Sequence, residues 1–132
     1  MLSVNSTQQF SQAAMVASRN HLPALVPPLQ RRLGVGQLQR CGSVGVKVAR
    51  LVLGSAEIYV HDGPGLKRWD SCGPEAVLRA AGGRVSDLSG AALDYRASDL
   101  MLRDGLLASN GVLHPGVLSA VTWARREVAR TR

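Results

Sequence analysis

Aromatic residues are scarce: Phe10, Tyr59, Tyr95, Trp69 and Trp123 are the whole set in 132 residues, so any core must be built from Leu, Val and Ala. Such material suits helices laid against a sheet. The same scarcity argues against a nucleic-acid binder, which would interleave basic residues with stacking aromatics or show a recognition helix. Cysteine is scarcer still. Cys41 and Cys72 form no CxxC pair and have no secretory context, which excludes a disulfide scaffold and predicts reduced, buried thiols. No apolar run reaches the length of a bilayer span, and Met1 to Phe10 has neither a basic start nor a continuous apolar stretch. These absences predict a soluble, cytoplasmic chain with neither membrane nor nucleic acid among its partners. No internal repeat or low-complexity tract is visible.

Charge, by contrast, is abundant and lopsided, with a formal net charge of +7. Arg125, Arg126, Arg130 and Arg132 against Glu127 give the last eight residues a net +3, which reads as a solvated helix end or as a contribution to the field felt by an anionic substrate.

Along the chain, residues 1–12 are polar and aperiodic and are expected to be a poorly ordered extension; residues 13–132 form the domain. Ala13 to Ser18 has strand length. Ala24 to Leu33 reads as a helix stopped by Gly34, although Pro27 and Pro28 argue for a break or a late start. Gln37 to Cys41 alternates as a short strand, and Val44 to Leu53 carries a helical apolar face closed by Gly54. Ala56 to His61 is the best strand, and Asp62-Gly63-Pro64-Gly65 is a turn. Asp70 to Ala81 reads as a helix with Asp70 at its N-terminus and Pro74 in its first turn, ended by Gly82-Gly83. Arg84 to Leu88, Ala92 to Tyr95 and Leu106 to Ser109 read as strands, and a final helix starts at Pro115. Alternating strands and helices indicate an α/β fold.

On local chemistry alone, Asp70 is either a helix-capping carboxylate or a ligand for a hard cation, which takes oxygen donors a few at a time from each segment. The surrounding run is more specific. Trp69-Asp70-Ser71-Cys72-Gly73-Pro74-Glu75-Ala76-Val77-Leu78-Arg79-Ala80-Ala81-Gly82-Gly83 resembles the second signature of the inositol monophosphatase superfamily, in the WDxxAPExxLxxAGG form of its 3'(2'),5'-bisphosphate nucleotidase branch. Gly42-Ser43-Val44-Gly45-Val46-Lys47 resembles that branch's GSxGxK segment. Downstream, Asp87-Leu88-Ser89-Gly90, Leu93-Asp94-Tyr95 and Gly105-Leu106-Leu107-Ala108-Ser109 follow the family's DxxG, LxY and GxLAS succession. The resemblance covers about residues 15 to 121.

The resemblance implies the C-terminal portion of a layered α/β sugar-phosphatase-type fold, a mixed sheet flanked by helices, and a Mg2+-dependent phosphomonoesterase acting on a small phosphorylated nucleotide. The expected reaction removes the 3'-phosphate of 3'-phosphoadenosine 5'-phosphate, in nucleotide recycling or sulfate assimilation. Carried over, Asp70 is the metal ligand, Ser18 and His21 contact the nucleotide, and Ser43 and Lys47 bind its phosphate and sugar. Each has a plainer reading: Ser43 is an equally good helix N-cap, His21 and Ser18 could simply be surface residues, and Lys47 a solvated lysine. Inositol monophosphatases tend to carry Glu at the end of the AxYxE strand, where this chain has His61, which favours the nucleotidase branch over the alternative of an inositol monophosphatase.

The family's remaining metal ligands come from a Glu and a DPxDGT motif in its N-terminal half, and no DPxDG[ST] occurs here. One Asp70 cannot assemble a multi-metal site, so no complete catalytic set is expected in this chain. It is expected to be incomplete and inactive alone, or a non-catalytic nucleotide- or partner-binding remnant. An incomplete layered fold exposes apolar faces, so self-association or a missing N-terminal half is the expected macromolecular partner.

Overall fold

The structure, a computed structural model, describes residues 3–20, 22–62, 68–93 and 105–130, with only the backbone of 68–71. Among the described residues five strands, β1 (Ala14–Ser18), β2 (Gln37–Cys41), β3 (Ile58–His61), β4 (Arg84–Ser86) and β5 (Leu106–Ser109), form one sheet in the order β2-β1-β3-β5-β4. β1 is parallel to both β2 and β3, whereas β5 runs antiparallel to β3 and β4. The α-helices among the described residues cover it: α1 (Val26–Leu33), α2 (Val44–Val52), α3 (Arg68–Ala80) and α4 (His114–Arg130). The fold is therefore α/β with a mixed sheet, as expected.

Strand alternation sorts the core into two layers, because successive side chains leave a strand on opposite faces. Met15, Ala17, Ile58, Val60 and Leu107 pack with Leu29 of α1 and Val117, Val121 and Ala124 of α4. Val16, Tyr59, Leu106 and Ala108 pack on the other face with Val48 and Leu51 of α2 and Leu78 of α3.

Several expectations are corrected. Residues 3–12 are not a loose extension: Val4 N–H donates to the Ala81 carbonyl, Gly36 N–H to the Phe10 carbonyl, and Phe10 packs against the core. A short 3-10 turn, Phe10–Gln12, leads into β1. These ties run to distant residues, so no local periodicity announces them. Cys41 is buried as expected, but Cys72 is exposed, because it lies on the side of α3 turned away from the sheet. α3 starts at Arg68, two residues before the expected start, which puts Pro74 inside the helix instead of in its first turn. Pro27 and Pro28 do not break α1, since they stand in its opening turn, where a missing N–H loses no intrahelical bond. Ala92 and Leu93 lie in no strand, and Asp94, Tyr95 and the Gly63-Pro64-Gly65 turn fall outside the described residues.

Candidate functional site

β1, β2 and β3 point the same way, so their carboxyl ends share one edge of the sheet. Ser18 pairs with Cys41 at the ends of β1 and β2; Val16 pairs with Tyr59, which carries the register on to Ser18 and His61. By alternation Ser18 and His61 lie on the α2–α3 face, as Val16 and Tyr59 do. α2 leaves the end of β2 after two residues, and α3 begins beyond the end of β3. Ser18, Ser43, Lys47 and the first turn of α3, which contains Asp70, thus belong to one edge and one face. Ligands of open α/β sheets bind beyond the carboxyl ends of parallel strands.

The Ser18 end is held by its neighbour strand: Arg40 Nε donates to the Ser18 carbonyl at 2.7 Å and its Nη2 to the Arg19 carbonyl at 3.0 Å. Ser43 is the N-cap of α2, its Oγ accepting from Val46 N–H at 3.2 Å while the hydroxyl stays at an exposed position. Lys47, one turn on, is 5% exposed, with Nζ 5.1 Å from the centre of the Tyr59 ring. Burial lowers its pKa from the usual 10.5, opposed by electrostatic attraction to the neighbouring Cys41 sulfur. A desolvated ammonium over an aromatic face keeps a strong field, because little water screens it. Its burial was not legible from the sequence beyond its apolar neighbours Val46 and Val48. Asp70 lies on the α3 backbone with its side chain outside the described residues, and His21 lies outside them altogether. His61 also joins the edge: a strand end usually meets solvent, but the alternation Ile58-Tyr59-Val60-His61 puts it on this face.

Among the described residues no three His, Cys, Asp or Glu side chains group so that they could hold a metal ion. Magnesium takes several oxygen ligands in near-octahedral geometry, and the one carboxylate expected as a ligand, that of Asp70, is a single donor, so the residues present do not by themselves fit the ion.

Two other polar clusters sit at the opposite edge of the sheet, where β3 starts. Glu57 is buried and accepts from Ala14 N–H, from Asn5 Nδ2 at 2.8 Å and from Thr7 Oγ1 at 3.3 Å. Asn110 Nδ2 donates to Asn5 Oδ1 and to the Thr7 carbonyl, closing the network. His114 is fully buried between Ser86 Oγ, 2.8 Å from Nε2, and Ser109 Oγ, 2.7 Å from Nδ1. Ser86 Oγ gives its proton to the Asp87 carbonyl and so accepts from Nε2–H; Ser109 Oγ accepts from Gly111 N–H and donates to Nδ1. This assigns a neutral, fully bonded imidazole. Both clusters read as structural, since neither is open to a ligand.

The sequence model of the inositol monophosphatase family matches residues 2–125. The 3'(2'),5'-bisphosphate nucleotidase 1 of Mus musculus is 37% identical over 81 residues, covering 61% of this chain and 26% of that protein. The 3'-phosphoadenosine 5'-phosphate phosphatase of Mycobacterium bovis is 33% identical over 112 residues, 85% of this chain and 41% of that protein. Among solved structures, an IMPase of Thermotoga maritima superposes with a TM-score of 0.79 at 18% identity, over 96% of this chain and 47% of its own. The inositol monophosphatase of Anabaena gives 0.75 at 22% identity, over 92% and 48%. These two likenesses speak to the fold. The chain spans less than half the length of each of these four relatives.

Proposed function

Because the chain belongs to the inositol monophosphatase family, we propose that it is the C-terminal portion of a Mg2+-dependent phosphomonoesterase of the 3'(2'),5'-bisphosphate nucleotidase type, removing the 3'-phosphate of 3'-phosphoadenosine 5'-phosphate. The observation that carries this reading is the convergence of Ser18, Ser43, Lys47 and the Asp70 turn, from three separate segments, on one edge and face of the sheet. In this reading the Ser43 hydroxyl and the first free N–H groups of α2 meet a phosphate oxygen, and the Lys47 charge acts from beneath through a poorly screened path. Ser18 and His21 meet the nucleoside, and Asp70 contributes one carboxylate to the ion. The cytoplasm is the proposed setting, in nucleotide recycling or sulfate assimilation; among the described residues no helix is long and apolar enough to cross a membrane.

A single metal carboxylate does not assemble the hydrolytic centre, so the chain alone is proposed to bind nucleotide without turnover. Calorimetric titration with adenosine 3',5'-bisphosphate, with and without Mg2+, tests this. Binding weakened about tenfold by Lys47→Ala is expected, with inositol 1-phosphate a poorer ligand. Absence of heat in both titrations would sink the binding role. Hydrolysis by the purified chain that disappears in Asp70→Asn would sink the claim of incompleteness.

A further inference from the structure

The α1–α4 layer lies on the other face of the sheet from the candidate site, and it gathers positive charge around a notch of about 170 Å³. Ala24, Pro27, Pro28 and Arg31 form one wall of the notch, and Glu127 and Val128 of α4 form the other. Trp123, Arg126 and Arg130 stand three or four residues from Glu127, so they continue its stripe along α4. Arg32 lies 5.1 Å from the centre of the Trp123 ring and ties the two stripes together.

Arg31, Arg32, Arg126 and Arg130 are all exposed, and Glu127 is the one acidic residue on either helix. Its carboxylate already accepts from Arg130 Nη1 at 3.3 Å. The helix dipole favours cations in a last turn, which accounts for Arg31, Arg32 and Arg130. It gives no reason for Arg126, nor for bringing both groups of arginines to one notch. Such a surface calls for an anionic partner, and its details select the kind. Trp123 packs on the core under Arg32, so its ring is already stacked and is no platform for a nucleobase. The apolar stripe of α4 is turned onto the sheet, which leaves no apolar face to enter a bilayer. A second copy of the chain would bring the same excess of positive charge. An acidic polypeptide meets every feature: carboxylates match guanidinium forks, and the apolar walls Ala24, Pro27, Pro28 and Val128 accept an aliphatic anchor.

We propose that the α1–α4 surface docks an acidic segment of another polypeptide, with one aliphatic side chain seated in the notch and the carboxylates around it on Arg31, Arg126 and Arg130. The Arg130 side chain is 78% exposed, so its bond to Glu127 leaves donors facing outward. Because the candidate site lies on the opposite face, the docked segment and a nucleotide do not exclude one another. The inference is independent of the nucleotidase reading.

The test is fluorescence anisotropy of a labelled peptide, Glu-Asp-Leu-Leu-Asp-Glu, titrated with the full chain. Saturable binding is expected, weakening at least tenfold as salt rises from about 50 to about 500 mM. Arg31→Ala with Arg126→Ala is expected to weaken it about tenfold, and Ala24→Leu, which fills the notch from a position before α1, about threefold. Arg84→Ala, which removes an equal charge from β4, is expected to leave it unchanged, as is saturation with adenosine 3',5'-bisphosphate. Circular dichroism verifies that each variant folds. Absence of binding at low salt, binding indifferent to the folded Arg31, Arg126 and Ala24 variants, or displacement by the nucleotide would overturn the proposal. So would tighter binding of polythymidylate or of phosphatidylserine vesicles through the same arginines, since nucleic acid or lipid would then be the occupant.

Discussion

His114 shows how a single side chain can tie stability to acidity. Its burial, with a smaller push from the Arg84 charge, lowers its pKa from 6.5 to about 4. The folded state therefore favours the neutral imidazole that the unfolded chain readily protonates below pH 6.5. The stabilisation is complete above pH 6.5, falls as the pH drops, and levels off below about 4, where both states carry the proton. The shift converts to about 3 kcal/mol. Urea unfolding between pH 7 and 4 is expected to show this decline, and His114→Gln, which cannot titrate, is expected to flatten it. An equally steep slope in the variant would assign the acid sensitivity elsewhere. Lys47 sets the converse case: Lys47→Met removes a buried cation at similar volume. It is expected to leave stability within about 1 kcal/mol of the parent by thermal melts. The nucleotide titration tests Lys47 separately.

Elements were the most legible level, because strand and helix periods are written in neighbouring residues. The alternation from Ile58 to His61 and the helical recurrence of Val48, Leu51 and Val52 both became the expected structures. The start of α3 was less legible, since an Asp is favoured both as N-cap and anywhere in the first turn, and so Asp70 does not mark which residue comes first. Its glycines separate two effects. A Cβ on Gly73 meets nothing within 4 Å, so Gly73→Ala, in a helix interior, is expected to stabilise by about 0.5–1 kcal/mol in a denaturation series. A Cβ on Gly83 would stand 2.5 Å from Leu78 Cδ1 and 2.7 Å from the Ser109 carbonyl oxygen, where α3 hands over to β4. Gly83→Ala is expected to destabilise by about 2 kcal/mol, the usual cost of overpacking. The candidate site was legible only as motif pieces; that Ser18, Ser43 and Lys47 share an edge depends on the parallel pairing of β1 with β2 and β3, which joins residues far apart in sequence.

At the level of the whole molecule, residues 3–12 act as a strap across the starts of β1 and β3. Deleting residues 1–12 takes two of three donors from Glu57, two acceptors from Asn110 and the packing of Phe10. The deletion is expected to cost about 3 kcal/mol, mostly from leaving buried polar groups unsatisfied. A shift in urea midpoint at constant m-value would record it. Nothing in the sequence of the strap foretold this, because its polar residues find their distant partners 49 to 105 positions away.

That reach has a consequence for the order of events at the ribosome. Asn110 must emerge before it can bond Asn5 and Thr7, so these two residues wait for a partner made more than a hundred positions after them. Until then Asn5 Oδ1 and the Thr7 carbonyl lack the donor that Asn110 supplies, and β1 waits with its clasp incomplete. Elongation at roughly 5–20 residues per second keeps that state open for several seconds, an interval in which a holding chaperone would find its binding site on the unfastened edge.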